Sequence, residues 1–204
     1  MIHKPYFGRV VTMKRSAVVL ASALLFLLTV VAGAYAVEIT ADMISKEGKI
    51  TRNGKIYVKG NKYRVEKGST PMYQIMRGDK NKLYQINNAE RTYIEVALTP
   101  EMKPSVEEKF YGETARKPMG TETINGYSAK KFQVTVKGAK GKSATVTQWF
   151  STEYNFPVKV AGDKWSVEYK NIKKGGVADS IFELPKGLTV DASEAPDVLS
   201  GGGH

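Results

Sequence analysis

The sequence predicts a mainly β protein, and three observations carry that prediction. Apolar and polar residues alternate with period two through most of the chain after residue 37. Turn signals such as Gly60-Asn61, Gly78-Asp79 and Asn125-Gly126 separate the alternating stretches. The 3.6-residue periodicity of an amphipathic helix is almost absent.

Glu38 to Met43 already read as strand. Residues 49–59 carry Ile50, Ile56 and Val58, with Asn53-Gly54 expected to supply a turn or bulge. Gly60 and Asn61 both tolerate positive φ, so a two-residue hairpin there pairs Val58 with Tyr63 and Ile56 with Val65. Lys59, Lys62 and Arg64 then fall on the opposite, solvated face. The next three strands, 72–77, 83–86 and 92–96, are apolar on both faces. Four-residue loops at 78–81 and 87–90 would set Ile75 opposite Tyr84, Tyr73 opposite Ile86, and Tyr84 opposite Tyr93. One face thus carries Tyr73, Ile75, Tyr84, Ile86 and Tyr93, and the other Met72, Met76, Leu83, Ile94 and Val96. Such a sheet packs between two layers or lines a cavity, and a one-residue slip exchanges the two sets.

Residues 104–111 are the one expected helix, with Pro104 in its first turn and Glu107 and Glu108 near its start. Strands resume after Gly120-Thr121, turn at Asn125-Gly126, and continue at 131–137, 144–150 and 156–160. The stretch 165–172, with Trp165, Val167 and Tyr169 alternating with Ser166, Glu168 and Lys170, is expected to close the sheet. From Asp191 the composition becomes acidic, small and Gly-rich, so residues 191–204 are read as a disordered tail.

The first 36 residues read as a processing signal. Lys4, Arg9, Lys14 and Arg15 precede an apolar run from Ala17 to Val31, and Ala34-Tyr35-Ala36 is a small-x-small cleavage site. Met13 is an alternative start that gives a leader of ordinary length. An uncleaved anchor is the competing reading, although the apolar run falls short of the ~20 residues a span needs. The expected organisation is a signal peptide at 1–36, one β domain at 37–190 and the tail, in a protein exported to the periplasm.

Composition removes most catalytic kits. The chain of 204 residues has no cysteine, and its two histidines are His3 and His204. Disulfides, thiolate nucleophiles, Cys-type metal sites and a His-based triad within the body are therefore excluded. No cofactor is expected. The formal net charge is +11, and loss of the leader would leave 27 basic against 20 acidic residues, a net +7. These lysines are spread along polar strand faces and turns without an aromatic-basic platform, so a solvated surface or weak contact with anionic membrane is expected, not nucleic acid. Gly141-Lys142-Ser143 lacks the first glycine of a phosphate loop, because Val136 stands there, and reads as a hairpin turn. Arg77-Gly78-Asp79 likewise reads as an ordinary turn.

The segment Phe182-Glu183-Leu184-Pro185-Lys186-Gly187-Leu188-Thr189-Val190-Asp191 resembles the C-terminal signature of the periplasmic lipoprotein-carrier (LolA-like) superfamily. Leu83-Tyr84-Gln85-Ile86-Asn87-Asn88 is similar to that family's Leu-Trp-x-Tyr-Asn-Pro strand and turn, and Ile56-Tyr57-Val58-Lys59 to its second strand. The resemblance implies an incomplete antiparallel β-barrel, closed on its concave side by helices and holding acyl chains in an apolar cavity. Two features depart from the pattern: Lys59-Gly60-Asn61 stands where the carrier has Lys-Arg-Pro, and no long helix precedes the first strand. The carrier's releasing arginine therefore has no counterpart.

The expected function is a non-enzymatic periplasmic carrier or chaperone, working as a monomer on lipid or lipidated protein. Tyr73, Ile75, Tyr84, Ile86 and Tyr93 are the expected lipid-binding wall; the alternative for these residues is plain core. A cell-envelope interaction module with a filled interior is the second function class. An enzyme using Glu95, on the same face as Tyr93, is the third.

Overall fold

The computed structural model describes residues 37–68, 70–137 and 143–191. The expected signal peptide, the turn around Gly141-Lys142 and all of the expected tail except Asp191 lie outside the described residues. Among the described residues, twelve strands form one sheet: β1 (Glu38–Glu47), β2 (Ile50–Lys59), β3 (Lys62–Lys67), β4 (Met72–Arg77), β5 (Lys82–Asn87), β6 (Thr92–Ala97), β7 (Glu113–Ile124), β8 (Tyr127–Lys137), β9 (Ser143–Ser151), β10 (Phe156–Ala161), β11 (Trp165–Lys174) and β12 (Thr189–Val190). Their order is β12-β6-β5-β4-β3-β2-β1-β11-β10-β9-β8-β7. The sheet is open, since β12 and β7 are its two ends. The mainly β, unclosed architecture expected from the sequence is therefore observed.

Two meanders of short hairpins, β1 to β6 and β7 to β11, join where β1 pairs antiparallel with β11. Contrary to expectation, residues 165–172 do not close the sheet: β11 lies in its middle, between β1 and β10, and β7 forms one edge. That edge is poor for strand addition, because its register shifts between Pro118 and Thr121 and proline offers no N–H. At the other end, β12 runs parallel to β6, with Thr189 opposite Thr92.

The Gly60-Asn61 hairpin has the expected register, Val58 opposite Tyr63 and Ile56 opposite Val65. The β4–β5 hairpin also matches, with Ile75 opposite Tyr84 and Tyr73 opposite Ile86. The β5–β6 pairing differs. Tyr84 lies opposite Glu95, and Tyr93 opposite Ile86. The Asn87 side chain accepts hydrogen bonds from the backbone N–H groups of Ala89 and Glu90, and Arg91 takes φ 56°, which moves the loop to 88–91. A two-residue shift preserves the faces, so Tyr84 and Tyr93 still meet diagonally, edge to face at 6.1 Å.

Asn53-Gly54 makes no turn or bulge. β2 passes straight through, with Gly54 paired to Met43 on one side and Lys67 on the other. The expected helix at 104–111 is also absent; the nearest helical element is a 3₁₀ turn at Pro100–Met102. Side chains from the sheet take backbone groups of this segment, among them the Glu107 carbonyl and the Phe110 N–H that such a helix would use internally. Gln148 donates to the Glu107 carbonyl at 2.9 Å and Arg116 to that of Glu108 at 2.5 Å, while the Phe110 N–H donates to the Glu113 carboxylate at 3.2 Å. A segment of eight residues has too little intrinsic helicity to outweigh these bonds.

Candidate functional site

The β4–β6 part of the sheet is apolar on both faces, and each face is used differently. One face bears the expected wall. Tyr73, Ile75, Tyr84, Ile86 and Tyr93 come together there through the alternation of β4, β5 and β6. The chain itself covers them: Val177, Ile181, Phe182, Leu184 and Leu188 pack against the wall. Ile75, Ile86 and Phe182 are fully buried, so this region forms a small second core.

Basic residues at the rim of that face hold the covering segment down. Arg77 is buried; its guanidinium donates to Asp79 at 2.8 and 2.6 Å, to the Phe182 carbonyl at 3.3 Å and to Glu183 at 2.5 Å. Lys59 and Lys62 converge on Asp179 at 2.9 and 2.6 Å. Arg64 donates to the Ile181 carbonyl and stacks over the Tyr73 ring at 4.1 Å. Arg91 reaches the Lys186 and Gly187 carbonyls. Lys59, Lys62 and Arg64, expected to be solvated, are thus half-buried pins for this segment. The Arg77-Gly78-Asp79 tripeptide is a turn, as expected, and its arginine is occupied.

These pairs set an acid limit. The hydrogen bonds from Arg77 lower Asp79 to about 2, and those from Lys62 and Lys59 lower Asp179 to about 2, against an ordinary 3.8. A carboxylate whose pKa is lower when folded stabilises above its unfolded value and loses that contribution as pH falls through the folded value. Thermal melts should therefore show stability falling between about pH 4 and pH 2, and Asp79→Asn should flatten that slope. An unchanged slope in the variant would mean that the ion pair does not contribute.

The opposite face carries the larger core, which includes Ile39, Ile56, Val58, Tyr63, Met76, Leu83, Val106 and Phe156. Of the second apolar set, Met76 and Leu83 are buried here, whereas Met72 is exposed. A cleft of about 310 Å³ opens on this side, lined by Val37, Val58, Gly60, Tyr63, Val106, Glu107, Glu108, Asn155 and Phe156. Its size is at the low end for small-molecule pockets. Val58 and Tyr63 reach it from the β2–β3 hairpin, Val106 is the buried anchor of the 103–112 segment, and Phe156 begins β10. Tyr63 is buried at its ring and donates its hydroxyl to the Glu107 carboxylate at 3.3 Å. Burial, the negative charge of Glu107 and this hydrogen bond push the phenol up to about 12.

Alternation in the sequence places Val58 and Tyr63 on one face without singling out this cleft. No local signal joins Val106 and Phe156 to that hairpin, because their proximity depends on the long-range pairing of β1 with β11. Glu95 is exposed and ion-paired with Lys82 at 2.6 Å, and it does not line the cleft. Among the described residues, no group of three or more His, Asp or Glu is placed to hold a metal ion.

Fold and cleft together define an open, mainly β sheet protein with an apolar side pocket. The chain belongs to the family described as Domain of unknown function (DUF4412), whose model matches residues 38–154. Among curated proteins, none matches the chain. Several solved structures are similar. A chain of the Pseudomonas aeruginosa MucA/MucB complex is 10% identical, with 72% of this chain and 56% of that chain covered and a TM-score of 0.47. The chain thus spans little more than half the length of that protein. A putative outer membrane lipoprotein-sorting protein domain from Vibrio parahaemolyticus is 10% identical, with 71% and 88% covered and a TM-score of 0.38. A LolA superfamily protein from Nitrosomonas europaea is 11% identical, with 72% and 89% covered and a TM-score of 0.36.

Proposed function

We propose that the chain is an exported, non-enzymatic binding protein that holds an acyl chain of a lipid or lipidated protein in the cleft beside the β2–β3 hairpin. The observation that carries this reading is an apolar pocket framed by Val58, Tyr63, Val106 and Phe156 and left unfilled by the chain's own described residues. Each CH₂ moved from water into such a pocket gains about 0.8 kcal/mol, so even a short stretch of chain offsets part of the ordering cost. The leader-like first 36 residues support a periplasmic location, where water offers a free acyl chain no apolar refuge. Tyr73, Ile75, Tyr84, Ile86 and Tyr93 enter the proposal as a second apolar surface, reached by cargo only when residues 177–188 lift. The protein works as a monomer in this reading, with transient contact to anionic membrane through its scattered lysines.

The test is native mass spectrometry and lipid extraction on the full chain expressed in a bacterial host. A co-purifying amphiphile at fixed stoichiometry is expected, and Glu108→Trp, which fills the cleft mouth from an exposed position, should remove it. A clean apo mass combined with failure to take up a fluorescent fatty acid would overturn the proposal. That result would favour a cell-envelope interaction module, the reading supported by the way the chain's own segment fills the Tyr73–Tyr93 face.

A further inference from the structure

We propose that the paired ends of the β1–β2 and β10–β11 hairpins dock on an anionic phospholipid bilayer. Trp165 and Ile50 enter its interface, and Lys46, Lys49 and Lys164 meet its phosphates. The inference rests on the membrane contact proposed above, which it moves from scattered lysines to one place, and it does not depend on the cleft.

The two turns are joined, because the Gly48 N–H donates to the Lys164 carbonyl at 2.9 Å. Trp165 and Ile50 both lie opposite Glu47, so the three side chains form one row across β11, β1 and β2. Farther along the same face Val167 is half-buried, and Met43 and Tyr169 belong to the larger core. At the row of Glu47 the cover over that apolar face ends: Ile50 is 53% exposed and Trp165 41%. Trp165 is nevertheless held in place. Its indole packs against Gly162, where an added Cβ would overlap the ring nitrogen, and its carbonyl accepts from the Gly162 N–H at 2.9 Å. A side chain already fixed in one pose loses little freedom on binding.

An indole with an apolar body and one N–H donor suits the head-group depth of a bilayer. Charge selects the kind of bilayer. Residues 46–52 and 162–165 carry Lys46, Lys49, Arg52 and Lys164 against Glu47 and Asp163. Arg52 pairs with Glu47 at 3.6 Å. Lys46, Lys49 and Lys164 are exposed and have no ion pair among the described residues. Lys46 acts electrostatically on Glu168, whose ion pair is with Lys159. These three cations complement lipid phosphates beside the two apolar side chains. The row stands at the far end of β1 from Val37, which lines the cleft, and ten residues of strand span about 30 Å. A molecule docked by this row holds its cleft clear of the bilayer and open to water.

Tryptophan fluorescence of the full chain, titrated with phosphatidylcholine vesicles with and without phosphatidylglycerol, tests the proposal. Trp149 and Trp165 are the two tryptophans, none lies in the first 36 residues, and Trp149 is buried, so the signal reports on this row. Phosphatidylglycerol vesicles should shift the emission to the blue, and acyl-brominated lipid should quench it; Trp165→Phe should abolish both effects. K49Q/K164Q should weaken vesicle binding by about thirtyfold at low salt, the product of the two lysine contributions, and I50S should weaken it while leaving the thermal melt unchanged. Vesicle binding with no change at Trp165 would overturn the docking surface and leave contact through scattered lysines. No binding to phosphatidylglycerol vesicles would overturn the membrane contact altogether, and equal binding to both kinds of vesicle would overturn the role of the lysines. Uptake of a fluorescent fatty acid by the cleft is read separately and is unaffected by any of these outcomes.

Discussion

Phe182→Ala should destabilise the domain by about 3–5 kcal/mol, the range for truncating a fully buried phenylalanine. Phe182 has no exposed surface and is the centre of the covering segment, packed among Ile75, Tyr84, Ile86 and Val177. Its carbonyl also accepts from Arg77, so backbone and ring are anchored at the same point. The cavity cannot close by a small shift of the segment, because Asp179 and Glu183 are held on either side by Lys59, Lys62 and Arg77. Urea denaturation should show the loss, accompanied by greater quenching of tyrosine fluorescence as Tyr84 and Tyr93 become accessible. Leu188→Ala, at a half-buried position, should cost less. A loss below about 1 kcal/mol at Phe182 would show that the segment does not form part of the cooperative core.

Gly54→Val is expected to prevent folding altogether, and Gly54→Ala should cost at least about 3 kcal/mol, the upper end for overpacking. A methyl group on Gly54 would overlap the Glu66 carbonyl oxygen and lie 3.2 Å from the Met43 Cε. The methionine can yield, but the carbonyl belongs to the backbone of β3. β2 cannot move away from it, being paired with β1 on its other side. Gly48→Ala is the control. Gly48 has a positive φ, but no heavy atom lies within 4 Å of where an added methyl group would sit, so only the backbone cost of about 1 kcal/mol applies. Circular dichroism and solubility distinguish the two sites, and equal effects at Gly48 and Gly54 would remove the steric explanation.

What is legible in the sequence depends on the range of the interactions that decide it. The Gly60-Asn61 hairpin can be read to the residue because a two-residue turn permits one register. The β5–β6 register differs by two positions from the one alternation suggests, since the Asn87 side chain and Arg91 decide where that turn sits, and neither shows in an apolar pattern. The helix expected at 104–111 gives way to Gln148 and Arg116, partners brought from distant strands. Of the candidate site, the grouping of Tyr73, Ile75, Tyr84, Ile86 and Tyr93 on one face follows from alternation alone. The segment that lies over them does not, because the C-terminal motif carries no mark of the face it will cover. The cleft at Tyr63 is hidden for the same reason.

The pairing of β1 with β11 also bears on how the molecule assembles. Each meander can zip from local turns, but the seam brings Ile39 against Lys174 and can form only when almost the whole domain is available. Closing so long a loop is entropically costly before any contact offsets it, which places the seam among the slow, late steps of folding. Val58 reaches the cleft from one side of that seam and Phe156 from the other. The cleft is therefore completed only when that seam forms, and a chain that has zipped its hairpins without docking its halves has no cleft at all.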